Sequence, residues 1–405
     1  MTGAMYAAIA GLKTHMSGLN VIGNNIANVN TVAYKSQRYI FQDAMYTMYS
    51  SGSDGTDTKG GQNPSQIGYG SQISTIDLNM TTGSFSPGND LDCMIDGDGF
   101  FLVGDKDVAQ VIDAQDPTSF KSLTLTRAGN FTIDAGGYLV DGNGSPVYGF
   151  LTVDTTIDGE PIVSDQLVPI RLPRMETVGV DANGEVAEDE EDIVGYESIL
   201  RYPVDREMDE NGEIADDAPV ATLRDYTVTT GEGDDATTVE LPFAQFDSIS
   251  IDKTTGRISG TTKETDQWVT IGFLAIGNVT NPNGVTHDGG FYYKCSDGAG
   301  DLQVALMGGA ADTLYTRAAD GSTTSLTYVN GSLVDTEAED VVLSDKALIG
   351  DAGTTALSTG GLEGSNVDLA TEISNMIVIQ RGYQANTRII TVTDSMLEEL
   401  VNMKR

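Results

Sequence analysis

From Leu369 to Val401 the chain steps four, three, four, three residues without a slip, through Leu369, Ile373, Met376, Gln380, Tyr383, Thr387, Ile390, Asp394, Leu397 and Val401. That period belongs to a helix offering one seam to a partner. Sustained for about thirty residues, it spans about 50 Å at ~1.5 Å per residue, longer than a compact domain needs. Asn366 or Asp368 can cap its start, and the pattern runs to about Asn402. Three seam positions, Gln380, Thr387 and Asp394, are polar and lie seven residues apart, which trades stability for register. A half-exposed helix in a bundle would carry the same stripe. The other end of the chain has a counterpart in Ile9, Leu12, Met16, Leu19, Ile22, Ile26 and Val29. Glycine and asparagine then crowd Ile22 to Asn30 and compete with the helical backbone, so this helix is expected to stop near Asn28.

Between the ends the period changes. Short alternating runs are separated by turn signals such as Asp98-Gly99, Asn143-Gly144, Asn283-Gly284 and Asn330-Gly331. Phe100–Val103, Ser122–Thr126, Gly137–Val140, Ser248–Asp252 and Trp268–Ile276 read as strands. Glycine, at 47 of 405 residues, follows no collagen period and fits many tight turns. The fold class expected is α+β, a mainly β body with the two terminal helices pairing as a coiled-coil-like unit. Residues 51–66 are mostly Gly, Ser, Asp and Thr, and 36–75 is expected to be a linker.

Charge and residue type exclude much chemistry. Sixty acidic against 22 basic residues give a net charge of −38, which repels nucleic acid and anionic membranes alike. No stretch approaches the ~20 apolar residues of a membrane span. Met1 to Leu12 lacks the basic region and cleavage site of an ordinary secretory signal. Two cysteines, Cys93 and Cys295, and two histidines, His15 and His287, fit no zinc pattern. A Cys93–Cys295 disulfide is compatible with the sequence and not dictated by it. Phosphate-loop, serine-hydrolase and metalloprotease motifs are absent from the sequence, and Trp268 is the single tryptophan, which argues against a sugar-binding platform. The reading is therefore of a non-enzyme without cofactor or metal. From Asp181 to Asp217 there are 15 acidic residues and two basic ones, a solvated surface on the simplest account. Asp181 to Glu185, Asp209 to Glu213 and Asp96 to Gly99 begin like calcium loops, but Val186, Ile214 and Phe101 stand where such a loop needs glycine.

At both ends the residues resemble a known family. Gly11-Leu12, then Leu19 through Gly23, Asn24, Asn25, Ile26, Ala27 and Asn28 to Thr31, and Tyr34-Lys35 are similar to the opening of bacterial flagellar rod and hook proteins. Gly361 to Leu369 with Asn366, then Gln380, Arg381, Tyr383 and Asn386, resemble that family's closing helix. Leu91 to Phe101, Thr126 to Phe131 and Gly137 to Val140 resemble its first β domain. The length of the central segment points to the hook-type members over the rod members.

The resemblance implies a nested chain. Residues 1–35 would pair with 365–405 for polymerisation, 76–150 with 243–364 would form the first β domain, and 151–242 an outer acidic β domain. It implies a subunit that polymerises into a flexible helical tube and transmits motor torque. Ile9, Leu12, Met16, Leu19, Ile26, Leu369, Ile373, Met376, Tyr383, Ile390 and Leu397 would then form the polymer interface. The implied partners are further copies of the chain, the rod, hook-cap and hook–filament junction proteins, and a type III export apparatus. The subunit would be extracellular, exported without a cleaved signal peptide, with no nucleic acid bound and no membrane insertion. A distal rod protein is the alternative within the family, and a secreted acidic β-rich adhesin or hydrolase the alternative outside it.

Overall fold

The computed structural model describes residues 2–104, 112–113, 123–157, 160–163, 166–180, 193–201, 203–205, 222–223, 227–230, 237–253, 256–263, 268–306, 314–317, 323–329, 332–335 and 355–403. Contacts gather in two compact units, Met1–Gly83 with Gly364–Arg405, and Ser84–Glu363.

Helix α1 (Thr2–Ala27) and helix α2 (Leu369–Met403) belong to the first unit. Asp368 caps α2: its carboxylate accepts from Ala370 N at 3.0 Å and from the Thr371 hydroxyl at 2.6 Å. Those bonds, the Thr371 hydroxyl first, hold the carboxyl below the usual aspartate range. α1 ends where Asn28 folds its side chain back, Nδ2 donating to Asn24 O at 2.9 Å. Ala33 then takes a left-handed conformation (φ 57°) that turns the chain out of the helix.

The expectation of a linker at 36–75 is corrected. Strand β1 (Gln37–Asp43) pairs antiparallel with β4 (Ser71–Leu78), and between them β2 (Tyr46–Ser50) pairs with β3 (Ser65–Gly68). Bridges at Ser53–Gln62 and Thr56–Lys59 carry that ribbon toward its tip. Its polar, glycine-rich composition hid the pairing, because a ribbon exposed on most of both faces needs no alternation. β1 and β4 lie on α1: the Thr14 hydroxyl contacts Ala10 O and Ser71 O, each at 2.8 Å, and Gly70 (φ 112°) comes against Ala7 and Ala10.

In the second unit the strand Trp268–Val279 is buried along nearly its whole length. It pairs with Arg257–Thr262, Tyr148–Ile157, Phe100–Val103 and Leu302–Leu306, all antiparallel. Ile271, Leu274 and Ile276 on it join Phe101, Phe131 and Leu151 in the core. Early and late segments pair in mirror order: Phe85–Pro87 with Gly361–Glu363, and Cys93–Asp96 with Ala356–Thr359. A buried ion pair ties the last of these strands down. The Arg127 guanidinium lies 3.8 Å from the Glu363 carboxylate, both side chains fully buried, and also donates to Ile95 O and Gly97 O. Gly97 and Gly99 have φ near 120°, so Asp96 to Gly99 is a turn between strands. Cys93 and Cys295 are free thiols. Burial pushes the Cys93 thiol up to about 12. Residues 151–242 fall within this unit, where Arg174–Val180 pairs with Gly195–Arg201 and Thr227–Thr230 with Thr237–Glu240. Most of the acidic stretch, 181–192 and 206–217, and most of 308–359 lie outside the described residues.

Candidate polymerisation surface

α1 and α2 run antiparallel in one register. Gly11 meets Asn386, His15 meets Gly382, Gly18 meets Ile379, and Asn25 meets Glu372. A methyl group on Gly11 would come 2.5 Å from Asn386 Nδ2, and one on Gly18 3.0 Å from Ile379 Cδ1. The two glycines therefore let the helices approach closely and give up helix propensity to do so. Gly23 is different: nothing lies within 4 Å of its missing Cβ.

The register corrects the expected seam. On α2, Ile379 and Thr393 are buried, and Glu372, Met376, Gly382, Asn386 and Ile390 are half-buried. Met376 and Ile390 are common to both readings. Leu369, Ile373, Tyr383 and Leu397, expected inside, are exposed in the single chain, as is Met16 on α1 at 52%. Ile9, Leu12, Leu19 and Ile26 are half-buried. The cause is the small and polar packed face, with Gly11, Gly18, Gly382 and Asn386 at the contacts. A stripe drawn through apolar residues alone misses it by about one position. What the chain leaves outside is a long apolar surface on α2, adding Ile377, Val378, Ile389, Val392, Leu400 and Val401 to the exposed seam residues.

The asparagines of the opening motif act as ties. Asn25, 1% exposed, donates to Gln37 O at 2.8 Å and to the Glu372 carboxylate at 2.9 Å. Its Oδ1 accepts from Gln37 N and from the Tyr34 hydroxyl, whose pKa burial raises. Asn366 does the same from the other end, accepting from Ser36 N at 2.7 Å and donating to Asn79 O and Thr81 O. Lys35, 1% exposed, donates to Thr81 O at 3.0 Å. Gln380 and Arg381 are exposed, as are Asn24 and Ala27, while Asn28 is half-buried. Aromatic residues supply a second exposed surface that sequence reasoning missed, with Tyr46, Met48, Tyr49 and Ile67 of the β2–β3 ribbon all at least half exposed. Among the described residues no group of His, Cys, Asp and Glu is arranged to hold a metal. No described helix is long and apolar enough to cross a membrane.

Two paired terminal helices with uncovered apolar faces, joined to a nested β body, define a subunit of a polymer. Three family descriptions match along the chain: "Flagella basal body rod protein" at residues 5–35, "Flagellar hook protein FlgE/F/G D1 domain" at 94–188, and "Flagellar basal body rod FlgEFG protein C-terminal" at 358–403. The chain is 30% identical over 410 residues to the flagellar basal-body rod protein FlgG of Bacillus subtilis (strain 168), covering 100% of both. It is 27% identical over 460 residues to the flagellar hook protein FlgE of Borreliella burgdorferi, again covering 100% of both. With the flagellar hook protein FlgE of Salmonella typhimurium it shares 25% over 441 residues, covering 98% of this chain and 99% of that one. The chain belongs to the flagellar hook and basal-body rod protein family. It is a structural subunit of the flagellar hook–rod class.

Proposed function

We propose that the chain is the hook subunit of a bacterial flagellum, assembling with its own copies into a flexible helical tube that carries motor torque to the filament. The uncovered apolar face of α2 carries this reading. Leu369, Ile373, Tyr383, Leu397 and Val401 are each 37–67% exposed in one chain, and burying each contributes roughly 1.5–3 kcal/mol. Copies that cover this face with a different surface of the next copy make an open helix rather than a closed ring. A flexible tube needs several arrangements of neighbouring subunits close in energy, and a polar, glycine-rich β body suits contacts of that kind. In this reading α1 and α2 form the polymerisation domain, residues 151–242 lie outermost, and the protein does mechanical work without catalysis. It leaves the cell through a type III export apparatus, ends extracellular, and meets the rod, hook-cap and junction proteins at the two ends of the tube.

A rod subunit is the second reading, because a protein named as a rod subunit matches this chain from end to end. Length therefore does not separate the two. Electron microscopy of the concentrated, purified chain does. Curved tubes that bend without breaking are expected, and straight rigid tubes favour the rod. A chain that stays monomeric at every concentration and salt overturns both.

A further inference from the structure

The register of α1 on α2 leaves a stretch of α2 without a partner. Continued one for one from the Gly11–Asn386 contact, it sets Thr2 opposite Ser395. The last described turns of α2, Met396 to Met403, have no α1 residue opposite them and expose Met396, Leu397, Leu400, Val401 and Met403. Halfway along the same helix pair lies a cleft of about 250 Å³ whose walls include His15, Met16, Leu19, Ile379 and Tyr383. We propose that the overhanging end of α2 from one copy seats in this cleft on the next copy. The inference rests on the axial-subunit reading above and names the contact between copies.

Charge selects the occupant. α1 contains no acidic residue, and its one basic side chain beyond His15 is Lys13. Lys13, Arg381 and Arg388 are exposed around the cleft, a basic rim on a chain of net charge −38. The overhang has the opposite sign, with Asp394, Glu398 and Glu399 exposed, although Lys404 and Arg405, outside the described residues, follow it in the sequence. Cleft against cleft would oppose two basic rims, and overhang against overhang two acidic ones. Overhang into cleft pairs unlike charges and buries apolar side chains of both partners. The same chain cannot supply both halves. Met16 lies opposite Arg381, and Leu400 is 19 residues further along a rigid helix, about 28 Å away. The contact joins different surfaces of identical chains, so it propagates.

Cross-linking of full-length tubes tests this. With Cys295→Ser as background and the buried Cys93 kept, Met16→Cys and Leu400→Cys in one chain are expected to give a ladder of multimers with a short bismaleimide. A mixture of the two single variants is expected to give dimers only, and neither alone any product. Charge reversal is the second arm. Glu398→Lys with Glu399→Lys is expected to raise the critical concentration for assembly at least about tenfold, and Lys13→Glu with Arg381→Glu in the same chain to recover most of that loss. Tubes that form without a ladder, or reversals that fail to compensate, overturn the proposed contact and leave the axial reading standing. Absence of tubes from the unmodified chain overturns the axial reading, and this contact with it.

Discussion

Glycines on the terminal helices have opposite roles that only packing reveals. Gly11 and Gly18 read from sequence as weak points in a helix. In the structure they are where α2 comes closest, and Asn386 and Ile379 occupy the space that side chains would take. Gly23 faces nothing within 4 Å. Gly23→Ala is therefore expected to stabilise α1 by about 0.5–1 kcal/mol, whereas Gly11→Val should separate the helices around Asn386. Circular dichroism during thermal unfolding checks both, with the melting of the helical signal rising in the first variant and falling in the second. In the β body the sensitive residue is Arg127. Arg127→Met leaves the buried Glu363 carboxylate without its guanidinium partner, which costs about 3–5 kcal/mol for a buried pair broken on one side. The urea midpoint of the β body should fall accordingly, and an unchanged midpoint would mean that the pair is neutral.

At the level of elements, the two helices and their limits were legible because their signals are local: the four-three step, Asp368 as a cap, and the asparagine cluster at Asn24, Asn25 and Asn28. Their mutual register was not. It is set by Gly11, Gly18, Gly382 and Asn386, residues that carry no hydrophobic signal, so the stripe through Ile373 and Tyr383 pointed outward instead of toward α1. The β2–β3 ribbon was missed for a related reason, since its strands make backbone pairs while most of both faces stays exposed. Protease sensitivity follows from this arrangement. Lys13, Arg381 and Arg388 are exposed on the free helix pair, and assembly is expected to protect them from trypsin. Lys35 would look equally open in sequence, yet it is buried and hydrogen-bonded to Thr81 O. It should be cut slowly in monomer and polymer alike. Rapid cleavage at Lys35 in the monomer would mean that the ends order only on assembly.

For the whole molecule the dominant quantity is the net charge of −38. A tube packed with such subunits carries strong self-repulsion, which salt screens over a Debye length of ~8–10 Å near physiological ionic strength. Moderate salt is therefore expected to lower the critical concentration for assembly, followed by sedimentation across a salt series. Calcium at matched ionic strength should add nothing, and a sharp calcium requirement would point to a metal site in the acidic stretch 181–217. The central claim is that the apolar face α2 leaves open is what neighbouring copies cover. A cryo-EM reconstruction of the assembled tube measures that directly. The account predicts Leu369, Ile373, Tyr383 and Leu397 buried against helices of adjacent subunits. A tube in which these side chains stay exposed, with subunits held together through their β bodies alone, would contradict it.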